Sequence, residues 1–156
     1  MIGSDLRDLY QTVILDHAKK PRNFGPLEGA TCVAEGRNPL CGDHIKVYAR
    51  VAGDTIEAVG FEGSGCAIST ASASLMTQIA KGRSRAEIDV IATRFHDLVT
   101  GGADADPGDL AALGKLEVLA GVREFPARVK CATLVWHALR AALEGRGEPV
   151  STETDE

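Results

Sequence analysis

Residues 44–62 read HIKVYARVAGDTIEAVGFE, and this stretch decides the fold. Ile45, Val47, Ala49 and Val51 alternate with His44, Lys46, Tyr48 and Arg50, the period-two pattern of a strand with one buried face. The Ala52-Gly53-Asp54 turn leads straight into a second apolar run from Thr55 to about Glu62, so the two segments form a hairpin. Upstream, Thr31 to Glu35 favours a third strand.

Helical periodicity flanks this core. Leu6, Leu9, Tyr10, Val13, Ile14 and His17 share one face of a first helix, with Ser4 as its cap and Pro21 beyond its end. From Cys66, Ile68, Ala71, Leu75 and Ile79 mark a second helix, whose Ser and Ala residues allow close approach by a neighbour. Ser84 and Glu87 match a capping box before a third, and Asp106-Pro107 opens a short one carrying Leu110 and Leu113. A last helix starts near Pro126 and turns Val129, Ala132, Trp136, Leu139 and Leu143 inward. The expected domain spans residues 1–145, and an acidic tail, 146–156, is expected to be disordered.

A chain of 156 residues suits one domain and can bury a core without disulfides. Seventeen Lys and Arg against twenty-two Asp and Glu give a net charge of -5, which disfavours nucleic acid or an anionic membrane as partner. No apolar run approaches the ~20 residues of a bilayer span. Residues 1–9 alternate charge with leucine and lack the apolar core of a signal peptide, so the expected location is the cytoplasm, where thiols stay reduced.

Cys32, Cys41, Cys66 and Cys131 are then core residues, metal ligands or nucleophiles. Asn38-Pro39-Leu40-Cys41-Gly42-Asp43 sets a thiol and a carboxylate two positions apart where a strand begins. In an extended chain such residues point the same way, so Cys41 and Asp43 can converge on one ion while His44 faces away. A turn with Asp43 capping amides and Cys41 merely apolar is the alternative. Glu62-Gly63-Ser64-Gly65-Cys66 delivers Cys66 to a helix start, where the free amides suit an anionic sulfur; the glycines equally suit a plain tight turn. Cys131 lies on the shoulder of the last helix, about 120° from the centre of its apolar stripe. Arg128, one turn earlier, either holds a nearby thiolate by charge or is a solvated surface residue. Three thiolates and one carboxylate make a sound tetrahedral zinc site, but these spacings are not those of a zinc finger or ribbon, and scattered core cysteines remain an alternative. Cys32 is read as a core residue, and His17, His44, His96 and His137 as structural or exposed.

In sequence, Asn-Pro-Leu-Cys-Gly-Asp, Gly-Ser-Gly-Cys-Ala-Ile-Ser and Arg-Val-Lys-Cys-Ala-Thr-Leu resemble the U-type iron-sulfur cluster assembly proteins, the NifU/IscU-like family, and most of all its SufU branch. The resemblance runs from the first helix to about Leu143. It implies an α+β fold, a three-stranded antiparallel sheet packed with about five helices. Its implied metal ligands are Cys41, Asp43, Cys66 and Cys131. Scaffold members carry a histidine where this chain has Lys130, and their chaperone-recruiting Leu-Pro-Pro-Val-Lys appears here only as Phe125-Pro126-Ala127-Arg128-Val129-Lys130. The longer stretch from Ser84 to Leu119 and the Arg128-to-Cys131 pattern are similar to SufU. The SufU resemblance implies a zinc-dependent sulfurtransferase in which Cys41 accepts persulfide sulfur from a pyridoxal-phosphate cysteine desulfurase of the SufS type, assisted by Arg128, and passes it to downstream iron-sulfur scaffold proteins. The alternatives are a scaffold that assembles a 2Fe–2S cluster, a non-catalytic zinc module for protein contacts, and, least favoured, a cysteine hydrolase using Cys66 with a histidine base.

Overall fold

The alternation at 44–51 forms an antiparallel ladder in which β2 (Asp43–Ala52) pairs with β3 (Thr55–Ser64) across Gly53 and Asp54. The computed structural model describes residues 2–38, 42–100, 116, 119, 126–144 and 150–151. On the other side of β2 runs β1 (Cys32–Asn38), antiparallel, with Asn38 opposite Asp43. The strand expected to end at Glu35 thus continues through Gly36, Arg37 and Asn38, because pairing with β2 overrides their poor intrinsic strand preference. The three antiparallel strands are those expected. A fourth, β4 (Val150–Ser151), lies parallel on the outer edge of β1, in the order β3-β2-β1-β4. Disorder was expected there, and instead these two residues meet the backbone that an edge strand leaves unpaired.

Four helices are present among the described residues: α1 (Ile2–Lys19), α2 (Ala67–Ala80), α3 (Arg85–Thr100) and α4 (Pro126–Glu144). The short helix expected at Leu110 and Leu113 lies outside the described residues, while Leu116 and Leu119, just beyond, are fully buried. The capping box forms as read: Ser84 N–H donates to Glu87 Oε1 at 2.9 Å and Glu87 N–H to Ser84 Oγ at 3.2 Å. That bond holds the Glu87 carboxyl below its ordinary range. None of the described helices is long and apolar enough to cross a membrane.

One face of the sheet is covered by helices. Ile45, Val47, Ala49, Ile56, Val59 and Phe61 meet Leu75, Met76, Leu134, Val135 and Leu139 in a single core, where Phe95 packs on Trp136. The small residues of α2 do what their size allows. Ser69, Ala71, Ser72, Ala73 and Ser74 are all buried, and Ser72 Oγ donates to the Ala132 carbonyl of α4 at 2.6 Å. On the α1 side, Ser74 Oγ lies 2.7 Å from His17 Nδ1 and accepts the Arg22 N–H. The opposite face of the sheet carries polar pairs, among them His44 with Glu35 and Tyr48 donating to Glu62.

Gly36 is where α4 seats on β1. A Cβ there would stand 3.0 Å from Leu134 Cδ1 and 3.4 Å from Ala138 Cβ. Gly36→Val is expected to lose about 1–3 kcal/mol in urea unfolding, because the added methyls must push α4 off the strand; an unchanged midpoint would show that the seat is loose.

Candidate metal centre

Three elements deliver side chains to one end of the sheet. Asp43 begins β2, Cys66 is the N-cap of α2, and Cys131 sits in the second turn of α4. A carboxylate oxygen of Asp43 and the sulfurs of Cys66 and Cys131 all lie within 4.8 Å of one another. Asp43 is 2% exposed and Cys131 fully buried, whereas Cys66 is partly open.

Backbone hydrogen bonds organise these donors. The Cys66 N–H donates to Asp43 Oδ1 at 3.0 Å, tying the start of α2 to the start of β2. The Ser69 N–H donates to Cys66 Sγ at 3.5 Å, so the sulfur serves as the helix cap that a serine or aspartate oxygen ordinarily supplies. Arg128, exposed on α4, faces both sulfurs. The charge of Cys66 first, and then the hydrogen bond to Cys131, raise its guanidinium above the ordinary arginine value.

The loop before Cys66 is more than a tight turn. Gly63 has φ +137°, and a Cβ there would fall 2.0 Å from the His44 carbonyl oxygen. At Gly65 a Cβ would lie 2.3 Å from Ser69 Oγ and 2.9 Å from Asp43 Oδ1. Bare backbone at 65 therefore lets the Asp43 carboxylate reach the Cys66 N–H.

Cys41 lies outside the described residues, with Pro39 and Leu40. The expected alignment of Cys41 with Asp43 therefore also lies outside the described residues; Gly42, between them, is left-handed at φ +73°, and its N–H donates to the Asn38 carbonyl at 2.8 Å. Cys32 packs half-buried against the core, as read. No histidine belongs to the donor group among the described residues: His17 is buried against Ser74, and His44 pairs with Glu35 on the far face.

Two contacts were missed in the sequence. Ser69 stands three residues after an N-cap, a spacing that could have marked it. Asn38, whose amide reaches Cys131 at 3.9 Å, had no local signal, since the two residues are 93 positions apart.

The donor set suits zinc. With Zn–S near ~2.3 Å and Zn–O near ~2.1 Å, tetrahedral ligands stand a little under 4 Å apart, and small side-chain rotations bring the three described donors to that spacing. A fourth ligand has to come from elsewhere.

Residues 9–132 match the NifU-like N-terminal domain. The chain belongs to this family. It is 46% identical over 137 residues to the zinc-dependent sulfurtransferase SufU of Bacillus subtilis, covering 88% of this chain and 90% of that one. It is also 42% identical over 144 residues to the iron-sulfur cluster assembly scaffold protein IscU of Streptococcus pyogenes, covering 92% and 88%. Among solved structures, a proposed iron-sulfur cluster assembly scaffold protein for the SUF system from Fervidobacterium islandicum superposes with a TM-score of 0.78 at 34% identity, covering 84% and 93%. The NifU-like chain thus has an IscU/SufU-like fold, that of the iron-sulfur cluster assembly scaffold family.

In this family member Gly65→Ala is expected to fold with a loss of about 1–3 kcal/mol. It should bind zinc at least about tenfold more weakly in a competitive chelator titration, because the methyl displaces the Asp43 carboxylate. Wild-type affinity in that variant would show that the carboxylate does not hold the ion.

Proposed function

We propose that the protein is a zinc-dependent sulfurtransferase, which accepts persulfide sulfur from a pyridoxal-phosphate cysteine desulfurase for iron-sulfur cluster assembly. The observation that carries the reading is the convergence of Asp43, Cys66 and Cys131 from three distant parts of the chain, with Arg128 facing both sulfurs. Similarity to a protein named as such a sulfurtransferase supports it.

Zinc would be held by Asp43, Cys66 and Cys131 with Cys41 as fourth ligand, and when bound it keeps the thiols deprotonated at neutral pH. The remaining roles belong to the chain. Cys41 immediately precedes left-handed Gly42 and is two residues before Asp43 in the sequence. It is the acceptor: its thiolate attacks the outer sulfur of the donor's persulfide, a new S–S bond forms, the old one breaks, and the donor cysteine leaves as a thiolate. The transferred sulfur, now a persulfide on Cys41, passes to a downstream scaffold. Arg128 offsets the negative charge of the ligand set and attracts the anionic persulfide. This exchange belongs in the cytoplasm, where thiols stay reduced, and involves neither nucleic acid nor a membrane surface.

A second reading, a scaffold that builds a 2Fe–2S cluster as cargo on the same residues, is favoured by the relatives named as scaffolds. Anaerobic purification with near-stoichiometric iron and sulfide would select it.

In a sulfide-release assay with a cysteine desulfurase and a reductant, zinc-loaded protein is expected to raise turnover, and Cys41→Ala to return it to the rate of the desulfurase alone. Chelated protein should behave like the variant. Stimulation by Cys41→Ala equal to wild type would sink the sulfur-acceptor role.

A further inference from the structure

Asn38 ends β1 opposite Asp43, so the two side chains share the helix-covered face of the sheet. It is 1% exposed, almost as closed to water as any residue of the core. Its Nδ2–H donates to Cys131 Sγ at 3.9 Å, and its Oδ1 has no hydrogen-bond partner. A buried amide whose oxygen has no partner is a liability for the fold. A leucine fills nearly the same volume without that penalty. Among the described residues, two other buried side-chain atoms lack a hydrogen bond, Trp136 Nε1 and Arg140 Nε, of which the second is ion-paired with Asp89 Oδ1 at 3.4 Å, and neither residue belongs to the donor group.

The amide's one contact is with a sulfur of that group. For a neutral thiol 3.9 Å is a weak contact, but attraction to an N–H donor grows once the sulfur is charged. With the carbonyl and amine of the side chain exchanged, Oδ1 would face the sulfur, an orientation that a charged ligand sulfur would repel.

We propose that Asn38 is a positioning residue of the metal centre, holding the Cys131 sulfur and stabilising its negative charge at the expense of fold stability. The inference rests on the metal-site reading above and adds to it a residue that does not touch the ion. Partners of this kind, bonded to a ligand and not to the metal, commonly govern affinity by about 10–100-fold.

Asn38→Leu separates this role from a structural one. The metal-free variant is expected to unfold at the same temperature as wild type or higher, while binding zinc 10–100-fold more weakly by chelator competition. With cobalt in place of zinc, the thiolate-to-cobalt charge-transfer band should move to longer wavelength, because a sulfur that loses an N–H donor gives up its electrons more easily. Zinc affinity within about threefold of wild type together with an unmoved band would overturn the proposal, whatever happens to the unfolding temperature. Should the leucine variant fail to fold, the same two metal readings on Asn38→Ala decide it. A wild-type protein with no thiolate-to-cobalt band would bring down the metal centre and this inference together. A normal wild-type band with an unaffected variant would bring down this inference alone.

Discussion

Three groups that carry negative charge as metal ligands are held within 4.8 Å of one another, and this crowding is the constraint on which the site depends. At that separation two full charges repel by about 3 kcal/mol at an effective dielectric of 20. Folding must therefore supply positive charge or oriented donors around them. The Cys66 N–H points at Asp43, the Ser69 N–H at Cys66, and Arg128 faces both sulfurs. A divalent cation among the donors would complete the balance, which links the electrostatics of the ligand set to its chemistry.

The rest of the fold serves to make that approach possible. Small residues do much of it: Ser72 and Ser74 let α2 lie close to α4 and α1, and Gly36 lets α4 lie close to β1. Gly65 removes the last obstruction between the loop and the Asp43 carboxylate. Each substitutes close backbone approach for side-chain bulk.

Much of the fold was legible because periodicity is local. The 44–51 alternation marks β2, and the apolar stripe of α4 predicts buried positions at Ala132, Trp136, Leu139 and Leu143. The capping box at Ser84 and Glu87 is equally local and forms as read. Asn38 as the end of β1, and Val150–Ser151 as a strand, were not legible, because both depend on what lies across the ladder.

Among the site residues, Cys66 at a helix start and Cys131 beside Arg128 could be picked out from spacing, and motif order joined them to Asp43 through a family resemblance. The sequence by itself determined which residues have metal-binding chemistry, since that follows from residue type. Only the tertiary structure decided that Asp43, Cys66 and Cys131 share one centre, and that Asn38 touches its sulfur. The physical reason is that these contacts join residues up to 93 positions apart, and are made by the packing of α2 and α4 against the sheet, which no local pattern encodes.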